Sequence, residues 1–109
     1  MPDYRVNAVL ALISSRFREP LTLQAMSEHV NLSKSHLASL FRLAGTTAHR
    51  ALTKARMEHA AELLSTTHLR VKEVADRVGI ADQSHFVRDF EKYYHLHPQA
   101  FRRNHYLRS

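Results

Sequence analysis

The 109-residue sequence predicts an all-α protein of about seven helices, and three observations carry that expectation. Only two glycines and three prolines interrupt the chain, too few for the tight turns of an extended β-structure. Apolar residues recur at three-and-four spacing through most of the length, the stripe of amphipathic helices. One helical pattern is also written twice: "SKSHLASLF" at 33–41 returns 49 positions later as "DQSHFVRDF" at 82–90.

In chain order, the first helix falls on 4–17, where Val6, Val9, Leu10, Ile13 and Phe17 form the apolar stripe and Pro20 closes the segment. From Leu21 the repeat begins. Leu21, Leu23, Met26, Val30 and Leu32 align with Leu69, Val71, Val74, Val78 and Ile80. With one extra residue before the second cap, Leu37 then aligns with Phe86 and Phe41 with Phe90. Each copy reads as a short helix, a tight turn and a second helix. Asn31 and Gly79 occupy the turn, the two residue types that most readily accept a left-handed backbone. Small residues, Ser27 and Ala75, stand four before it, where steeply crossing helices need close approach. This is the pattern of a helix-turn-helix.

Between the copies, 47–64 lacks Gly and Pro and is rich in helix formers. It predicts one helix capped by Thr46 or Thr47, about 27 Å long at ~1.5 Å per residue. After the second copy, Pro98 suits the first turn of a last short helix. The expected organisation is a single domain over 1–109: a first helix-turn-helix subdomain at about 4–45, the connecting helix at 47–64, and a second subdomain at 69–103.

Composition narrows the function. With 44% hydrophobic and 24% charged residues the chain is too apolar for a disordered one. It has no cysteine, which removes disulfides, thiolate zinc sites and cysteine nucleophiles. No apolar run approaches the ~20 residues of a membrane span, and a cytoplasmic, nucleoid-associated protein without membrane contact is expected. Sixteen basic against ten acidic residues give +6. The excess lies in and after the repeated segments, which favours a polyanionic partner.

In a helix-turn-helix the second helix enters the DNA major groove and offers hydrogen-bonding groups to base edges. In the first copy, at about 33–44, Leu37, Leu40 and Phe41 are expected inside and Lys34, Ser35, Ala38, Ser39 and Arg42 outside. In the second, at about 82–94, Phe86, Phe90 and Tyr93 are expected inside and Gln83, Ser84, Val87 and Arg88 outside. Gln can pair bidentately with adenine, Arg with guanine, and Val87 can meet a thymine methyl. The two outer faces differ, Ala38 against Val87 and Ser39 against Arg88, so the expected double-stranded DNA site is asymmetric. The first face is the plainer one. It sustains an alternative, a helical protein-interaction module that has lost DNA binding.

From Leu21 to Arg103 the sequence resembles the DNA-binding domain of AraC/XylS-type transcriptional regulators, most visibly in "ARMEHAAELLSTTHLRVKEVADRVGIADQSHFVRDFEKYYHLHPQAFRR". The resemblance implies two helix-turn-helix units on successive major grooves of bent DNA. It further implies a transcription activator that contacts RNA polymerase. A monomeric domain, working alone or as the C-terminal part of a longer regulator, is expected. Carried onto this chain, the base-reading positions are Ser35, Ala38 and Ser39, with Arg42 beside them, and then Gln83, Ser84, Val87 and Arg88. Backbone contacts are expected from Lys34, His36, His85 and Lys92. The chain departs from the family pattern at Arg70, where a Ser or Thr cap is usual, at Asp89, often apolar, and at His95, frequently Gly.

Nine histidines raise the question of a metal. His95 and His97 form the closest pair, but no further ligand stands at a suitable spacing, and neither metal nor cofactor is expected. Glu58 and Glu62, one helical turn apart, read as a solvated face. No nucleophile–base pattern or Gly-rich phosphate loop is present, so no enzymatic activity is expected. A DNA-repair methyltransferase with a similar helical domain would need the cysteine this chain lacks.

Overall fold

The computed structural model describes residues 3–106, and they form seven α-helices: α1 Tyr4–Arg16, α2 Leu23–His29, α3 Lys34–Leu43, α4 Ala48–Thr66, α5 Val71–Arg77, α6 Gln83–Tyr94 and α7 Pro98–His105. The fold divides into two compact units at Ala55 and Arg56, inside the uninterrupted helix α4.

In the first unit α1 packs on α2 and α3. Its start is fixed by Asp3, whose carboxylate accepts from the Arg5 amide at 2.7 Å and from the Arg5 guanidinium at 3.0 Å. The guanidinium bond, followed by the amide bond, holds the Asp3 carboxyl down at about 2. Val6, Val9, Ile13 and Phe17 are buried as expected, but Leu12 takes the place assigned to Leu10, which is 39% exposed. Leu12 is 8% exposed, so the buried side of the stripe runs through it. Thr22 caps α2 and Ser33 caps α3, each hydroxyl accepting a backbone amide at 3.0–3.1 Å. Leu37 and Phe41 are fully buried; Leu40 is only half-buried.

The second unit repeats this construction. Ile80 N donates to Ala75 O at 2.9 Å just as Leu32 N donates to Ser27 O at 3.0 Å, and Gly79 N to Asp76 O just as Asn31 N to Glu28 O. Both turn residues are left-handed, Asn31 at φ 56° and Gly79 at φ 88°. Ser27 and Ala75, at 1% and 0% exposure, lie at the helix crossings. A longer side chain at either point would have to be fitted into a closely packed interior.

Three local departures from the expected pattern have visible solutions. At the start of α5, Arg70 is a donor only and cannot accept a helix amide. Instead Glu73 reaches back to the Arg70 amide at 2.9 Å, half of a capping box. Phe86 and Phe90 are fully buried, but the third inner aromatic is Tyr94 rather than Tyr93, which is 39% exposed. Tyr94 packs, with tilted rings, at 4.8 Å on Phe90 and at 5.2 Å on Phe101 of α7, and its burial pushes the phenol up from its ordinary value.

His95 ends α6 in the left-handed region at φ 63°, its amide donating to Glu91 O at 2.7 Å. A Cβ in that conformation is strained by about 1 kcal/mol or more, and glycine is not. His95→Gly is therefore expected to stabilise the protein by about 0.5 kcal/mol after the extra chain entropy of glycine is subtracted, read as a rise in the urea midpoint. A fall would show that the exposed imidazole carries a stabilising contact.

Candidate nucleic-acid interface

The second helix of each unit is aimed by its apolar side. Leu37 and Phe41 anchor α3, and Phe86 and Phe90 anchor α6, all at 0% exposure, so the opposite face of each helix points away from its core. On α3 that face carries Lys34, Ser35, His36 and Arg42, all exposed, with Ala38 and Ser39 half-buried beside them. On α6 it carries Gln83, Ser84, His85, Arg88 and Lys92, exposed, with Val87 half-buried. The structure thus brings each sequence-derived set together on one helix face, and each face belongs to its own unit.

The faces carry internal contacts that spacing alone did not disclose. Arg42 Nη2 donates to Ser39 Oγ at 3.1 Å, so two candidate readers of α3 are held as a pair. On α6, His85 Nε2 lies 3.1 Å from Asp89 Oδ2, four residues on. Asp89 also faces Arg56 of α4. Burial lowers the proton affinity of that half-buried guanidinium, and the Asp89 charge acts in the opposite sense. Asp82 caps α6, its carboxylate accepting from the Ser84 and His85 amides at 2.8 and 3.2 Å. The i,i+3 and i,i+4 spacings were the available signals for both side-chain pairs.

The histidine pair noted in the sequence has a backbone role. His95 is the left-handed residue ending α6, and His97 Nδ1 accepts from the Gln99 amide at 3.1 Å to cap α7. Among the described residues no group of three or more His, Cys, Asp or Glu side chains converges as a metal site, and no helix is long and apolar enough to cross a membrane. Glu58 and Glu62 are exposed. An apolar groove of about 410 Å³ in the first unit is lined by Leu23, Met26, Ala38, Arg42, Leu52 and neighbours, none of them a carboxylate.

Two helix–turn–helix units with matching turn hydrogen bonds, each presenting a polar second helix, define a helix-turn-helix DNA-binding protein. Residues 26–104 match the family model described as a helix-turn-helix domain. The raffinose operon transcriptional regulatory protein RafR of Pediococcus pentosaceus is 30% identical over 90% of this chain and 36% of its own length. The C-terminal domain of AraT, a response regulator from Geobacillus stearothermophilus, superposes with a TM-score of 0.94 at 33% identity, covering 99% of this chain and 91% of that one. The DNA-binding domain of AdpA, solved in complex with a target DNA, shares the fold at a TM-score of 0.84 and 24% identity, covering 90% and 89%. The chain belongs to the AraC-type helix-turn-helix family of transcription regulators, which are DNA-binding proteins and not enzymes. It spans about a third of the length of RafR.

Proposed function

We propose that this chain reads an asymmetric double-stranded DNA site, with α3 and α6 in successive major grooves, as the DNA-binding part of a transcription activator. The observation that carries this reading is the repeat itself: two units share turn and core but carry unlike outer faces. The base readers are Ser35, Ala38, Ser39 and Arg42 on α3 and Gln83, Ser84, Val87 and Arg88 on α6. Lys34, His36, His85 and Lys92 meet the DNA backbone. Because the chain supplies both recognition helices, the domain binds as a monomer, and its exposed remainder is free to contact RNA polymerase. Its place in the cell is with the DNA, in the cytoplasmic nucleoid.

Helix α4, 19 residues from Ala48 to Thr66, is about 28 Å long at ~1.5 Å per residue. One turn of DNA is ~34 Å. The proposal therefore includes a bent site, at a cost of order 1–6 kcal/mol that depends on the sequence bent.

Titrating salt against affinity tests the reading. If six or so phosphates are neutralised, affinity falls on the order of a thousandfold between 50 and 200 mM salt, and specific DNA keeps a margin over random DNA. Salt-independent or sequence-blind association would favour a protein-interaction module that keeps the fold without reading DNA.

A further inference from the structure

Beside the face of α6 that is read as meeting DNA stands a half-buried carboxylate, close to a side chain of that face. Asp89 Oδ2 is 3.1 Å from His85 Nε2, with side-chain exposures of 30% and 55%. On its inner side Asp89 acts on the guanidinium of Arg56. Charged groups near the imidazole include Asp89 on its own helix and, beyond it, Arg56 of α4. The Asp82 carboxylate is taken up by the first amides of α6. An acid on a DNA-binding face ordinarily opposes a polyanion.

We propose that Asp89 is a positioning residue for DNA binding, whose carboxylate holds the His85 ring by Nε2–H so that Nδ1 is directed to a DNA phosphate. The chemistry follows from the two ring nitrogens. A carboxylate only accepts, so the nitrogen that meets Asp89 is the one bearing a proton. In the neutral ring Nδ1 is then an acceptor, which a phosphate oxygen cannot use. In the charged ring Nδ1 is a donor, and a charge-assisted bond to phosphate forms. Asp89 fixes the ring and offsets part of the imidazolium charge. Arg56 in turn acts on the carboxylate from its inner side. The bond to phosphate is made by the charged ring.

This inference rests on the reading of α6 as a DNA-facing helix, and it reverses the sign that simple charge counting assigns to Asp89. Removing an acid from that helix should tighten DNA binding; here Asp89→Asn is expected to weaken it, by roughly two- to fivefold, the range of an exposed ion pair. The test is a double-mutant cycle with His85→Gln, measured on one DNA duplex carrying the protein's selected site. Glu91→Gln, which removes the same charge from α6 at an exposed position, serves as the control and is expected to bind as tightly as the parent or tighter. Support consists of a loss for Asp89→Asn that disappears in the His85→Gln background, together with a shallower fall of affinity between about pH 5.5 and 8, where histidines titrate. Unchanged or tighter binding by Asp89→Asn, or an equal loss in both backgrounds, overturns it. Imidazole nitrogen shifts of the free protein give a readout without DNA: His85 should be the Nε2–H tautomer in the parent and a mixture in Asp89→Asn. A parent already mixed overturns the inference even where DNA binding holds. Failure of the parent to bind any duplex in a salt-dependent way sinks the DNA reading of α6 and the inference with it.

Discussion

Replacing Arg88 by alanine is expected to cost about 1–3 kcal/mol on the best site and to erase the preference at one base pair. Arg88 is exposed on α6, one turn beyond Ser84 and on the side opposite Phe86 and Phe90, and its fork of donors matches guanine O6 and N7. Lys92, a further turn along, is expected to act differently. Lys92→Ala should weaken all sequences alike and lower the salt slope by about one unit. Binding to a panel of single-base variants of the site separates the two. If the Arg88 variant lost affinity equally for every sequence in the panel, Arg88 would be a phosphate contact and the assignment of α6 would be wrong.

Phe90→Ala is expected to be the most damaging single change to the fold, at about 3–5 kcal/mol. Phe90 is fully buried and packs at 5.8 Å on Phe86, 4.8 Å on Tyr94 and, edge-on, at 5.3 Å on Phe101. It therefore ties α6 to α7 as well as closing the second core. Total stability of a chain this size is of order 5–15 kcal/mol, so the variant gives up a large part of it. DNA binding should fail with it, since α6 would lose the packing that aims its outer face. Urea unfolding followed by circular dichroism checks this, and a loss below ~1 kcal/mol would mean the site collapses around the gap.

The repeat made most of the fold legible. Asn31 and Gly79, Ser27 and Ala75, and the pairs Leu37/Phe86 and Phe41/Phe90 are each constrained by one geometry used twice, and each lies where that geometry requires. What the sequence left open were ties. Leu10 and Leu12 flank the same stripe of α1, and periodicity gives the centre of a stripe without saying which edge a neighbour covers. Tyr93 and Tyr94 both continue the Phe86, Phe90 face, at three and four residues, and the tie is broken by Phe101 arriving from α7.

The candidate interface was legible as two sets of residues on two helix faces, because anchoring one side of a helix fixes the other. Its internal contacts were not. His85 and Asp89 at i,i+4 look like any solvated pair on a polar face, and in sequence Asp89 is a mere departure from an apolar position. Only the placement of Arg56 behind it gives the carboxylate a second side. Arg70 similarly reads as a lost cap, and the reciprocal bond from Glu73 supplies the missing partner.

Selection of bound duplexes from random DNA tests the central claim most directly, since the protein itself picks the site. Two unlike half-sites about one helical turn apart are expected, with the more sharply defined one changing when Arg88 is replaced. A palindrome, a single half-site, or no enrichment over the starting pool would contradict the claim that one chain reads two grooves with two different helices.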